Sequence, residues 1–187
     1  MKRKILIATS ILFAVGVCII GYTRATTKTS SEKAQQREQR HIEREQRRAQ
    51  RQAEYEKYID SIVLARNFQF NPQSMQQQPA GQMRLLNNPS FELSVWGSEV
   101  DIFLPYIKGV TPPYYTVMLN YTLPSVSNYV TEQTQEGWLV TFGSSLFSGS
   151  DYTFSLEVYT ATGSATLTIG SPWYSDVQYN GSIIGQN

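Results

Sequence analysis

Apolar and polar positions divide the chain into three stretches, each with its own pattern. Ile5 to Tyr22 is an apolar run without a charge. From Thr26 to Arg66, Arg, Glu and Gln dominate, and neither Pro nor Gly occurs. From Asn67 onward, apolar and polar side chains alternate, and clusters of Gly, Pro, Ser and Asn cut the alternation into short runs. The pattern predicts a signal peptide or uncleaved membrane anchor over 1–25, a charged helical spacer over 26–66, and an antiparallel β-domain over 67–187.

Period-two alternation is the mark of a strand with one face buried. The sets are Phe68 and Phe70; Phe91, Leu93 and Val95; Val100, Ile102 and Leu104; and Tyr115, Val117, Leu119 and Tyr121. Trp138, Val140 and Phe142 follow, then Tyr152, Phe154, Leu156 and Val158, then Ala165, Leu167 and Ile169, then Val177 and Tyr179. Breakers such as Asn87-Asn88-Pro89, Pro112-Pro113, Glu136-Gly137 and Thr162-Gly163 separate them. The predicted fold class is mainly β with an N-terminal helix: an antiparallel meander or sandwich of about 8–10 short strands after a long charged helix.

Helical spacing governs the middle stretch. Thr29-Ser30-Ser31-Glu32 has the form of a capping box and predicts a helix start there. Lys33, Arg37, Arg40, Arg44, Arg47 and Arg51 fall on one helical stripe. Such a stripe suits an anionic lipid surface, but interleaved Glu residues and a lack of apolar anchors favour a solvated spacer. Ile42 is the sole sizeable apolar side chain between Glu32 and Gln52, so no heptad seam forms. The last turns differ. Tyr55, Tyr58, Ile59, Ile62 and Val63 follow helical spacing and are expected to pack on the β-domain.

Lys2, Arg3 and Lys4 precede the apolar run, and Thr23-Arg24-Ala25 offers small residues for cleavage. A signal peptide and an uncleaved inner-membrane anchor through residues 5–22 both export the β-domain to the periplasm or cell envelope. Cys18 is the one cysteine; Val15-Gly16-Val17-Cys18 followed by Ile19-Ile20 departs from a lipobox, so a small apolar residue is preferred over a lipidated one.

Composition narrows the function classes. The stretch beyond the helix holds about 120 residues, enough for one domain with its own core. Its charge is one-sided: Arg84 and Lys108 face eight acidic residues, whereas 26–66 holds ten basic and seven acidic. An acidic domain argues against a nucleic-acid partner, since phosphates need clustered Lys and Arg.

The β-domain also resembles a family. The carrying segments are Leu93-x-Val95-x-Gly97-x-x-Val100 leading to Leu104-Pro105-Tyr106, Gly137-Trp138-Leu139-Val140-Thr141-Phe142, Asp151 to Leu156, Gly163 to Leu167, and Val177 to Ile183. Their order and spacing resemble the DUF4251 domain-of-unknown-function family of exported proteins from Gram-negative anaerobes, over about Tyr55 to Ile184. The resemblance implies an exported, mostly β domain and carries no activity. Family members often have an Asn-Arg pair before the final Tyr-x-Gly segment; here Pro172-Trp173-Tyr174-Ser175 occupies that region.

Little catalytic chemistry is visible. His41, the sole histidine, sits among charges on the helix and reads as a solvated residue. With neither histidine nor cysteine in the β-domain, Ser-His-Asp and Cys-His nucleophiles and His/Cys zinc sites are excluded there. Glu99 and Asp101 share one side of a strand and would suit a cation or glycoside hydrolysis, but also the solvent face opposite Val100 and Ile102, which is preferred. No metal or cofactor is expected. Aromatic residues are more distinctive. Trp96, Trp173, Tyr174, Tyr114 and Tyr159 are expected off the core face, where rings can stack on sugars or anchor a partner. Trp173 and Tyr174 follow Ser171-Pro172 in a turn, and with Trp96 they are the candidate binding residues. The sequence thus reads as an exported envelope protein whose β-domain binds or scaffolds, with an envelope protein or glycan as partner. The alternative is a hydrolase acting on envelope glycan through carboxylates such as Glu99 and Asp101.

Overall fold

A computed structural model describes the backbone of residues 2–109, 114–145 and 151–186, with side chains from Ser31 onward apart from Ser145 and Asp151. The elements run α1 (Lys2–Leu64), β1 (Asn67–Gln77), β2 (Arg84–Leu85), β3 (Glu92–Trp96), β4 (Glu99–Lys108) and β5 (Tyr115–Leu123). Then come β6 (Ser127–Gln133), β7 (Gly137–Ser145), β8 (Asp151–Tyr159), β9 (Ser164–Ser171) and β10 (Tyr174–Gly185). The chain divides into two compact units, Met1–Arg51 and Gln52–Asn187.

In the first unit, α1 runs through Thr29-Ser30-Ser31-Glu32 without a break, so the helix start expected there does not form. The cause is local: no Pro or Gly interrupts 22–66, and a Ser-Thr cluster costs a helix only a few tenths of a kcal/mol per residue. Every residue from Ser31 to Tyr55 is exposed. His41 contacts Glu45 at 3.3 Å and Arg47 contacts Glu43 at 3.9 Å, surface pairs that contribute little. Among the described residues no helix is long and apolar enough to cross a membrane; the side chains of Ile5 to Tyr22 lie outside them.

The second unit begins with the last turns of α1. Ile59 and Val63 are fully buried and Ile62 nearly so, as their spacing predicts. Arg66 ends the helical path in the left-handed region at φ 52° and turns the chain into β1. Its carbonyl accepts from the Gly97 amide at 2.7 Å, and its guanidinium lies 4.1 Å from the Tyr129 ring centroid.

The strands form one antiparallel sheet in the order β5-β4-β3-β1-β10-β9-β8-β7-β6, with β2 paired to β1. Sequential hairpins account for β6 to β10 and for β3 to β5; β1 joins the two runs by pairing with both β3 and β10. The sheet curls until its two halves face each other across the core, as the layers of a sandwich do. Beyond Phe103, β4 has no β3 partner and bends over β10. Pro105 sits in that bend, where its missing N–H costs no β3 bond, and its carbonyl accepts from the Tyr179 hydroxyl at 2.7 Å. The Tyr106 hydroxyl donates to the Ser175 carbonyl at 3.1 Å, a second tie between strands that are not sheet neighbours.

The alternating sets face inward as predicted except at the start of β5, where Tyr115 is exposed. Phe68, Phe70, Leu93, Val95, Leu156 and Leu167 are all fully buried. Glu157, one residue from Leu156, is exposed. Of the strands, β2 and β6 lie in none of the sets read from the sequence, and their exposed or mostly exposed residues show why.

Candidate functional site

Three segments of the second unit converge at one end of the sheet. The β6–β7 turn brings Gln133 to Gly137, the β8–β9 turn brings Tyr159 to Ser164, and α1 contributes Glu56 and Asp60. With Trp138 they line a cleft of about 670 Å³.

Local chemistry makes both turns rigid. The Thr134 amide donates to the Gly137 carbonyl at 2.9 Å, and the Gly137 amide donates to Thr134 Oγ1 at 3.1 Å. Gly137 is required by close approach, since a Cβ there would run into the Val158 carbonyl oxygen. In the β8–β9 turn, Gly163 adopts φ 66°, and its amide donates to the Tyr159 carbonyl at 2.8 Å. The Thr160 amide donates to the Glu136 carbonyl at 3.1 Å and joins one turn to the other. The helix is latched to the second turn: Gln52 Nε2 donates to the Ala161 carbonyl at 2.7 Å, and the Tyr55 hydroxyl to that of Thr162 at 3.3 Å.

Trp138 fixes the inner wall. Its ring is half-buried against the core, and its Nε1–H donates to Asp60 Oδ1 at 2.7 Å. Thr160 Oγ1 adds a longer contact to the same oxygen at 3.4 Å. Glu56 Oε1 accepts from Gln52 Nε2 at 3.1 Å. Desolvation, then the Glu157 and Glu136 carboxylates, hold the Tyr159 hydroxyl above the usual phenol range, so it remains a neutral donor. Among the described residues no lysine, arginine or histidine lines the cleft.

Of the aromatics expected off the core face, Tyr159 lines the cleft, whereas the candidate binding residues Trp173, Tyr174 and Trp96 lie elsewhere. Trp173 projects from the β9–β10 turn and is 63 % exposed. Tyr174 is half-buried, packed on the core with the Lys108 ammonium 5.2 Å from its ring centroid, so it does not project with Trp173. Trp96 is exposed at the far end of β3. β3 meets β1 at Asn67 and Phe68, next to Gly185 of β10, whereas Trp173 precedes the first residue of β10. A strand rises about 3.3 Å per residue, so the two indoles stand at opposite ends of the sheet and form no joint site. Glu99 is exposed and Asp101 half-buried on the outer face, paired with Trp96 and Ser94; neither reaches the cleft. Among the described residues no group of His, Cys, Asp or Glu is placed to hold a metal ion.

The concave interior carries a cluster of tyrosines that the sequence placed only as core. The Tyr106 and Tyr152 rings meet edge-on at 5.5 Å. Burial, then the neighbouring tyrosines, pushes the hydroxyls of Tyr106, Tyr121 and Tyr179 well above the usual phenol range. The hydroxyls of Tyr106 and Tyr179 tie the curled halves together, whereas that of Tyr121 is buried without a partner among the described residues.

The comparisons agree with this architecture. A family model described as "Domain of unknown function (DUF4251)" matches residues 50–183. The fold is similar to the 1.95 Å crystal structure of a DUF4251 family protein from Bacteroides eggerthii DSM 20697, with a TM-score of 0.55 and 17 % identity over 72 % of this chain and 91 % of that one. No curated protein matches the sequence. The match begins at residue 50, so the closing turns of α1 are part of the domain in sequence as they are in packing, and the chain belongs to the DUF4251 family.

Proposed function

We propose that this is an exported cell-envelope protein whose β-domain binds a partner and does not catalyse. The observation that carries the binding reading is the cleft between the β6–β7 turn, the β8–β9 turn and the end of α1. It is large enough for a small ligand, and rigid turns hold its polar groups in place before any ligand arrives. Three carboxylates line it, and this favours the hydrolase as second reading more than Glu99 and Asp101 do. Asp60 is committed to the Trp138 indole and Glu56 to the Gln52 amide, which leaves Glu136 without a described partner carboxylate and weighs toward binding.

Export rests on the basic start, the apolar run over 5–22 and Thr23-Arg24-Ala25. Replacing Ile11, Leu12 and Phe13 with charged residues should retain the protein in the cytoplasm, and normal delivery of that variant would refute export. For the cleft, a photo-crosslinking residue at position 159 should trap an envelope component that one on exposed Glu157 does not. Equal trapping at both positions would reject the cleft as the binding site. Glycan cleavage by the purified protein that vanishes in Glu136→Gln would replace binding with hydrolysis.

A further inference from the structure

Resting on the reading of the cleft as a binding site, we infer that its ligand is a neutral saccharide. The lining is amphipathic in the way a sugar is. The Gln135 amide and the Glu136 carboxylate offer donors and acceptors, and the hydroxyls of Thr134, Thr160 and Ser164, each bonded once within the scaffold, keep further hydrogen-bonding capacity. Trp138 and Tyr159 supply apolar area for the C–H faces of a pyranose ring. Desolvation and the Glu157 carboxylate, which takes its hydrogen bond, keep the Tyr159 phenol protonated, so its oxygen is left as an acceptor beside the Gln135 amide and the Glu136 carboxylate of the lining.

Charge decides between ligand classes. Without a cation in the lining, a phosphorylated, sulfated or uronic saccharide would meet only like charge. A cationic ligand would need free carboxylates. Asp60 Oδ1 accepts from the indole N–H at 2.7 Å and from Thr160 at 3.4 Å, and Glu56 Oε1 accepts from Gln52 at 3.1 Å, bonds that hold both carboxylates against the scaffold while leaving each its charge and its second oxygen. Beside its three carboxylates the lining holds seven uncharged polar side chains, which suit a polyhydroxylated ligand. A protein partner would look for an apolar anchor pocket, and here the described apolar lining amounts to little beyond two half-buried aromatic rings. The volume of about 670 Å³ holds a few sugar rings and falls within the range of small-ligand sites.

The test is calorimetric titration of the full chain with N-acetylglucosamine, glucose and mannose tetramers, alongside oligogalacturonate and a chitosan oligomer. At least one neutral tetramer should bind, and oligogalacturonate should not. Glu136→Ala and Tyr159→Ala should each weaken that binding about tenfold or more, the loss expected when an anchor is truncated. Both side chains leave the core untouched, so an unchanged unfolding midpoint would show that each variant folds. Binding of a neutral tetramer that neither variant weakens would overturn the inference, as would preferential binding of the charged oligomers. Crosslinking at position 159 without any saccharide binding would also overturn it while leaving the binding reading intact. Loss of both results would reject the cleft altogether.

Discussion

Two isoleucines on one helix give a sharp test of where the domain begins. Ile42 is 47 % exposed, whereas Ile59 is fully buried beneath the sheet. Replacing Ile59 with alanine removes three carbons, worth about 2.4 kcal/mol at ~0.8 kcal/mol per buried methylene. It also leaves a cavity, because Val63 on the helix and the strands around it are held by hydrogen-bonded ladders and cannot close in freely. The sum is about 3–4 kcal/mol, within the range for large-to-small core substitutions. Ile42→Ala removes little buried area and gains slightly in helix propensity, so it should shift stability by less than about 0.5 kcal/mol. Urea unfolding followed by tryptophan fluorescence is the assay, since Trp138 hydrogen-bonds Asp60, the residue after Ile59. With a urea slope of about 1–3 kcal/mol/M, Ile59→Ala should lower the midpoint by roughly 1–4 M. Midpoints that move equally in the two variants would refute the assignment of residues 52–64 to the domain core.

Removing residues 2–51 should leave the remaining unit folded with its midpoint nearly unchanged, whereas removing 2–66 should abolish the cooperative transition; identical behaviour of the two truncations would contradict the packing of Ile59, Ile62 and Val63. Leu156→Ala should cost about 2–5 kcal/mol and Glu157→Ala less than about 0.5 kcal/mol in the same melts, and similar costs would mean that β8 faces the other way. Trp173→Ala should leave stability within about 0.5 kcal/mol, while Tyr174→Ala should cost more because its ring packs on the core under Lys108. The hydroxyls of Tyr106, Tyr121 and Tyr179 ionise above their ordinary value of 10.0 in the fold, so their contribution is full below about pH 10 and falls as pH rises past it. Alkaline melts should therefore lose stability from that pH upward, and Tyr106→Phe should blunt the loss; a flat profile would show that these hydroxyls are not buried.

Most strands were legible because burial on one face writes a period of two into the sequence. Phe68 and Phe70, Leu93 and Val95, and Leu156 and Val158 each mark a strand whose inner face is now seen to be buried. The weaker signals came from edges. β6 lies at the end of the sheet with Ser127, Asn128, Val130, Glu132 and Gln133 exposed, so little in it requires alternation. The start of α1 was misplaced for a different reason. Thr29-Ser30-Ser31-Glu32 matches a cap, but a cap signal competes with helix-forming residues on both sides, and nothing there stops the helix from running on.

The cleft was not legible, and the reason lies in how it is built. Its residues come from 56–60, 133–138 and 159–164, and the bond from Trp138 to Asp60 joins positions 78 apart. Only the strand order, with β10 beside β1 and β8 beside β7, carries the two turns to the end of α1, and periodicity says nothing about order. Glu136-Gly137 and Thr162-Gly163 were recognisable as breakers, which is also how a rigid loop site looks before its neighbours are known. One local clue existed. A tryptophan that opens an inward-facing set at a strand start must find an acceptor for its N–H, and Asp60 is the one acidic residue among the packing turns Tyr58 to Val63. The exposed Trp173 drew attention because it stood outside every core set, yet it stands apart from this cleft and, among the described residues, meets no second ring. Trp138 gives up half of its exposure and its N–H to the scaffold, and in return its ring is held in one orientation beside the donors and acceptors of two fixed turns, the arrangement that favours selective binding over mere exposure.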